Sequence, residues 1–112
     1  MNELTDLELE IAIAKIEGLN SVVIHGIVYV SSGFSCDRRY SPLSDTLSGK
    51  ALLFDLILKY RVEIEFSTDD ESAKVEAFTT GSQSYDTEIE VERHSDIPRA
   101  MLESIIEDSK RV

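Results

Sequence analysis

The sequence predicts an α+β domain: one mainly antiparallel sheet of about four strands, with three helices largely on one face, in the order α-β-α-β-β-β-α. Three observations predict it. Before residue 60 two segments carry apolar residues at helical spacing and flank one β-branched run; from Arg61 onward the period drops to two; near Ser95 the helical period returns behind a proline. The three alternating segments are separated only by turn-rich stretches, which implies a meander. At 112 residues the chain is long enough to bury one ordinary core without disulfides or metal, so residues 1–112 are expected to form one domain.

The first helix is expected over "TDLELEIAIAKIE". Thr5 with Glu8 three residues later is the capping-box pattern, Leu9, Ala12, Ile13 and Ile16 recur at helical spacing, and Gly18 closes the segment. Next, "SVVIHGIVYVS" reads as one strand covered on at least one face, with Gly26 as a bulge. Residues 31–46 read as a long loop. The second helix spans about Ser48 to Tyr60, with Asp45 or Ser48 as its cap and Leu52, Leu53, Leu56, Ile57 and Tyr60 as its apolar stripe.

Strands follow at "RVEIEFS", "AKVEAFT" and "DTEIEVER", divided by "TDDES" and "TTGSQS". In the first, Val62, Ile64 and Phe66 alternate with Glu63 and Glu65. The last helix opens near Ser95 or Asp96 with Pro98 in its first turn, where a missing N–H costs nothing. It turns Ala100 or Met101, Leu102, Ile105 and Ile106 inward.

Charge narrows the function. Twenty-two acidic against 11 basic residues give a net charge of −11, a surface that repels nucleic-acid phosphates and anionic lipid. Direct DNA, RNA or membrane binding is therefore not expected; the charge suits either a protein kept soluble by self-repulsion or one that meets a basic partner. Cys36 is the single cysteine, the acidic opening "MNELTDLELE" does not read as a signal peptide and no apolar run is long enough for a membrane helix, so a cytoplasmic location is expected.

Taken together, "NELTDLELEIAIAKIEG", the central "YSPLSD" leading through Gly49 to "LLFDLILKYRVEIEF", and the closing "DIPRAMLESII" resemble the layout of the NinX-like family of small tailed-phage proteins. The chain differs from that layout in having no Trp. The resemblance implies a phage or prophage accessory protein working in the host cytoplasm. It carries over no catalytic residue; Tyr40, Pro42, Gly49 and Met101 match as structural landmarks.

Several motifs resemble known sites only in part. "LSDTLSGKALL" ends in Gly-Lys like a phosphate-binding loop, but Ser44 stands where the first Gly is needed, Ala51 where Ser or Thr would hold Mg²⁺, and no strand feeds it. Cys36 with His25 or His94 and Asp37 or Asp96 makes a nominal nucleophile set without any surrounding signature. One Cys and two separated His lack metal-ligand spacing, and "STDDES" lacks the length and Gly of a calcium loop. No catalytic residue, metal or cofactor is expected.

Two charged constellations remain. If the alternation holds, Glu63, Glu65, Glu76, Glu88, Glu90 and Glu92 share the sheet face away from the helices, relieved by Arg61 and Lys74. Such a face is either an ordinary solvated outer surface, its repulsion screened by solvent, or one kept because something basic binds there. Carboxylates on a rigid sheet can imitate a phosphate backbone, so among functional readings the leading one is a non-enzymatic protein that binds, and inhibits, a host or defence protein with a basic surface. The second reading is a small-ligand or anion site, or an enzyme, built on the Phe34–Tyr40 loop with Arg38, Arg39 and Tyr40. The third is a structural homo-oligomer joined through a sheet edge or through "VVIHGIVYV".

Overall fold

The computed structural model describes residues 4–31, 38–77 and 88–110. Its elements are α1 (Asp6–Ile16), β1 (Asn20–Ile24), β2 (Ile27–Ser31), β3 (Arg38–Arg39), α2 (Leu47–Tyr60), β4 (Val62–Phe66), β5 (Ala73–Ala77), β6 (Ile89–Val91) and α3 (Ile97–Ser109), the last preceded by a 3-10 turn at His94–Asp96. The class is α+β, as the sequence predicts. The single sheet is not: the strands form two three-stranded antiparallel sheets, β1-β2-β3 and β4-β5-β6. The chain divides into two compact units, one up to Leu53 and one from Phe54, with the boundary inside α2.

In the first unit, α1 starts where the sequence places it. The Thr5 hydroxyl accepts from the Glu8 N–H at 3.2 Å, and Glu8 Oε1 accepts from the Thr5 N–H at 2.9 Å, a complete capping box. The helix ends in a Schellman motif: the Leu19 N–H donates to the Ala14 carbonyl and the Gly18 N–H to the Lys15 carbonyl. Gly18 takes the left-handed conformation this requires, with φ of 75°. Leu9, Ile13 and Ala14 of α1 and Val28 and Val30 of β2 are buried, with α1 packed on β1 and β2.

The apolar run after α1 is a hairpin and not one strand. Ile24 pairs with Ile27, and the two residues between them, His25 and Gly26, have φ of 52° and 76°. Two consecutive positive φ values make a type I′ turn, whose twist matches the flanking strands. Gly26 is thus a turn residue where a bulge was expected. The expected loop at 31–46 also contains β3, which pairs Arg39 with Tyr29 and Arg38 with Val30.

α2 is capped by Thr46, not by Asp45 or Ser48: its hydroxyl accepts from the Gly49 N–H at 3.1 Å. Gly49 is required by space. A Cβ there would run into the Ser44 hydroxyl and the Ser41 backbone carbonyl. Its place beside Lys50 therefore reflects close packing of the helix start on the 41–46 turn. Along α2, Leu56 is buried and Leu52, Leu53, Ile57 and Tyr60 half-buried, as the stripe predicts. Leu47, Phe54 and Leu58 lie exposed on other positions, which the stripe does not predict.

The second unit is the expected meander with α3 packed on β4, β5 and β6. The pairs Val62–Ala77, Ile64–Val75–Ile89 and Phe66–Ala73–Val91 share one face. Val62, Ala73, Val75, Ala77 and Val91 are buried there with Ile97, Ala100, Met101, Leu102, Ile105 and Ile106 of α3. Ser104 is buried as well, its hydroxyl donating to the Met101 carbonyl at 2.7 Å. Among the described residues no helix is long and apolar enough to cross a membrane.

Two glycine substitutions separate conformation from space. Gly18→Ala meets nothing within 4 Å and pays only for its backbone angle, so it is expected to lower stability by about 1 kcal/mol. Gly49→Ala should lower it by about 2 kcal/mol or more through overpacking. Adding Ser44→Ala should not restore the loss, because the Ser41 carbonyl stays in place. Chemical denaturation of the variants measures both.

Candidate functional site

The register of the second sheet decides where its charges lie. Side chains directly opposite one another in an antiparallel pair share a face, and alternation separates the two faces completely. Glu63 lies opposite Glu76, Glu65 opposite Lys74, and Lys74 opposite Glu90, all on the face away from the apolar pairs that α3 covers. Glu88 and Glu92 flank β6 and continue its alternation on that face.

The six glutamates are not equivalent. Glu63, Glu65, Glu90 and Glu92 are exposed and Glu88 is half-buried. Glu76, on the central strand, is only 5% exposed, so it does not belong to the accessible surface. Lys74 reaches Glu88 with a nitrogen–oxygen distance of 3.9 Å and stands between Glu65 and Glu90 in the ladder. The adjoining β4–β5 turn adds exposed Asp69, Asp70 and Glu71. Hydrogen bonds from the Ser72 hydroxyl and N–H hold the Asp70 carboxyl below its ordinary range, so it stays charged.

At the turn end of the sheet an open cleft of about 350 Å³ is lined by Glu65, Phe66, Ser67, Lys74, Glu90 and Glu92, among others. Phe66 is 55% exposed and stacks edge-on against His94, with ring centroids 5.5 Å apart. Glu65 and Phe66 are consecutive residues of β4, so the ring leaves the face opposite to the carboxylates of Glu65 and Glu90 and does not close with them on one side chain. The alternation of "VEIEF" counts Phe66 with the core. Its place at the strand end, beyond the cover of α3, is what frees the ring.

The arginine segment is built differently from a gripping loop. Arg38 and Arg39 are consecutive residues of β3, so their side chains leave opposite faces of the sheet. They are not arranged to close on one anion together. The Arg39 Nε donates to the Ser41 hydroxyl at 3.0 Å. Tyr40 is buried, and its hydroxyl has no hydrogen-bond partner among the described residues. Burial, reinforced by the negative charge of Glu17, pushes that phenol well above its ordinary range and keeps it neutral. Phe34, Cys36 and Asp37 lie outside the described residues. His25 sits at the hairpin tip, His94 and Asp96 in the 3-10 turn before α3. Among the described residues no group of three or more His, Cys, Asp or Glu could hold a metal ion.

Glu10 of α1 is a further charged residue that the sequence does not single out. It is 8% exposed, and its Oε2 accepts from the Leu43 N–H at 3.2 Å, tying α1 to the turn before α2. Burial raises its pKa, only partly offset by that hydrogen bond. Helical periodicity could not reveal it, because the partner is a backbone group from a distant turn.

Comparison of the chain with protein-family models, with curated proteins and with solved structures finds no match.

Two charge experiments follow from this geometry. Glu63 faces a like charge and Glu65 an opposite one, so Glu63→Lys should raise stability by about 0.5 kcal/mol while Glu65→Lys lowers it by a similar amount. Denaturation at low salt measures both signs; equal signs would mean a different register. Glu10 is linked to pH. With the folded pKa above the unfolded one, the burial penalty is absent below the unfolded value, grows as pH rises through the folded value and is full above it. Glu10→Gln keeps an acceptor for Leu43, so it should raise the melting temperature at neutral pH. That gain should fade as pH falls below the ordinary carboxylate range.

Proposed function

We infer that the protein is a non-enzymatic binding protein that engages a basic partner through the acidic face of β4-β5-β6. One observation carries the reading: the ladder sets Glu63, Glu65 and Glu90 exposed on a single strand-supported face, with Glu92 beside them and Lys74 as the cation between them. Strands hold charged side chains at fixed spacing better than loops do, which favours recognition of a patterned basic surface. The net charge of −11 adds long-range attraction for such a surface and repulsion for nucleic acid.

A protein surface that ordinarily receives nucleic-acid phosphate has the required charge pattern. This makes a host or defence protein the partner, and inhibition by occupation of its groove the effect. It agrees with the phage accessory role that the family resemblance implies. The anion-binding alternative loses its main premise once Arg38 and Arg39 leave opposite faces of β3.

The test is capture from host lysate at low and high salt. Neutralisation is the clean probe at Glu65 and Glu90, since lysines there would crowd Lys74; reversal is safe at Glu63, which faces Glu76. A partner retained by the wild-type chain at low salt should be released at high salt. It should be lost from a chain carrying Glu63→Lys, Glu65→Gln and Glu90→Gln, and kept by Arg38→Glu with Arg39→Glu. Loss with the arginine variant and retention by the glutamate variant would contradict the reading.

A further inference from the structure

We propose that β1 is a self-association edge, pairing antiparallel with β1 of a second copy about a two-fold axis at Val22. The observations are independent of the acidic face. Among the described residues β1 bonds only to β2 and so forms one edge of its sheet. In a two-residue hairpin the pair next to the turn, here Ile24 and Ile27, exchanges both ladder bonds. Alternation then directs the backbone groups of Ile24, Val22 and Asn20 toward β2 and those of Ser21 and Val23 outward.

Soluble proteins guard such edges with charged side chains, proline or bulges. β1 has none of the three. Its register with β2 is unbroken from Asn20 to Ile24, and no residue of "NSVVI" is charged. Val22, Val23 and Ile24 are 49%, 45% and 47% exposed, apolar surface on both faces of the strand.

Charge identifies the occupant. From Gly18 to Cys36 the sequence contains no Asp, Glu, Lys or Arg, although the chain as a whole carries −11. A basic partner finds nothing there to recognise. A second copy brings an equally uncharged strand, so two strongly acidic chains meet where neither is charged. The pairing is also self-complementary. Val22 meets its own copy on the axis, and Ser21 lies opposite Val23 of the second copy. That arrangement exchanges four backbone hydrogen bonds and makes one six-stranded sheet of two three-stranded ones. The contact is small, so association belongs in the micromolar to millimolar range.

Sedimentation of the full chain over that range, at low and high salt, tests the proposal together with amide hydrogen exchange. Dimer should grow with concentration and with salt, because salt screens the mutual repulsion of the two chains. This is opposite to the salt dependence of the acidic-face complex, so the two readings fail separately. The amides of Ser21 and Val23 should gain protection as dimer forms. Val22→Lys sets like charges facing across the axis and should weaken the dimer by about tenfold or more. Val23→Pro, which removes an outward N–H that the β1–β2 ladder does not use, should weaken it too. A chain that stays monomeric at millimolar concentration in high salt overturns the proposal, even if the edge then takes up an unrelated extended peptide. A dimer unchanged by both variants, or one whose protection falls away from β1, overturns it as well.

Discussion

The pairing register of β4 with β5 is the constraint on which the rest of the second unit depends. Strand side chains alternate with a period of two, so a slip by one residue would send Glu63 and Glu65 toward α3 and turn Val62 and Ile64 to water. Burying unpaired carboxylates costs far more than any cross-strand repulsion on the exposed face. The core under α3 thus selects the register, and the register gathers the acids. Concentrated negative charge on one face is therefore a consequence of packing. That packing also makes the face rigid enough to hold a fixed pattern of charge.

The two units treat charge in contrasting ways. In the second, acids line the outer face and the β4–β5 turn, relieved at close range by Lys74. In the first, a long uncharged stretch forms the hairpin and leaves an apolar edge. Like-charge repulsion between copies acts over roughly a Debye length of about 10 Å at moderate salt. Contact through the uncharged edge and contact through the acidic face would therefore respond to salt in opposite directions.

Much of the fold is legible because local chemistry and tertiary need coincide. Thr5 with Glu8 starts α1 and Gly18 ends it, since a capping box and a left-handed residue act within a few residues of chain. The strands at 62–66, 73–77 and 89–91 and the inward residues of α3 follow from periodicity for the same reason. The hairpin is hidden because one continuous apolar run covers both strands, and His25–Gly26 lacks the Asn that usually marks a type I′ turn. β3 is two residues long, too short for any period to register. Alternation assigns Glu76 to the right face but not its burial, which depends on what lies over a central strand. The inequivalence of Arg38 and Arg39 follows from their place in a strand that two residues of sequence do not mark.

The most direct test of the β4–β5 register is a set of backbone proton contacts measured by NMR. The Ser67 N–H donates to the Ser72 carbonyl at 3.0 Å, which makes that pair hydrogen-bonded and, by alternation, leaves Val62–Ala77, Ile64–Val75 and Phe66–Ala73 as the close, non-bonded pairs. Strong Hα–Hα contacts should therefore join Ile64 to Val75 and Phe66 to Ala73. Contacts joining Ile64 to Lys74 or to Glu76 instead would show a one-residue slip, with Glu63 and Glu65 turned toward α3 and no acidic face.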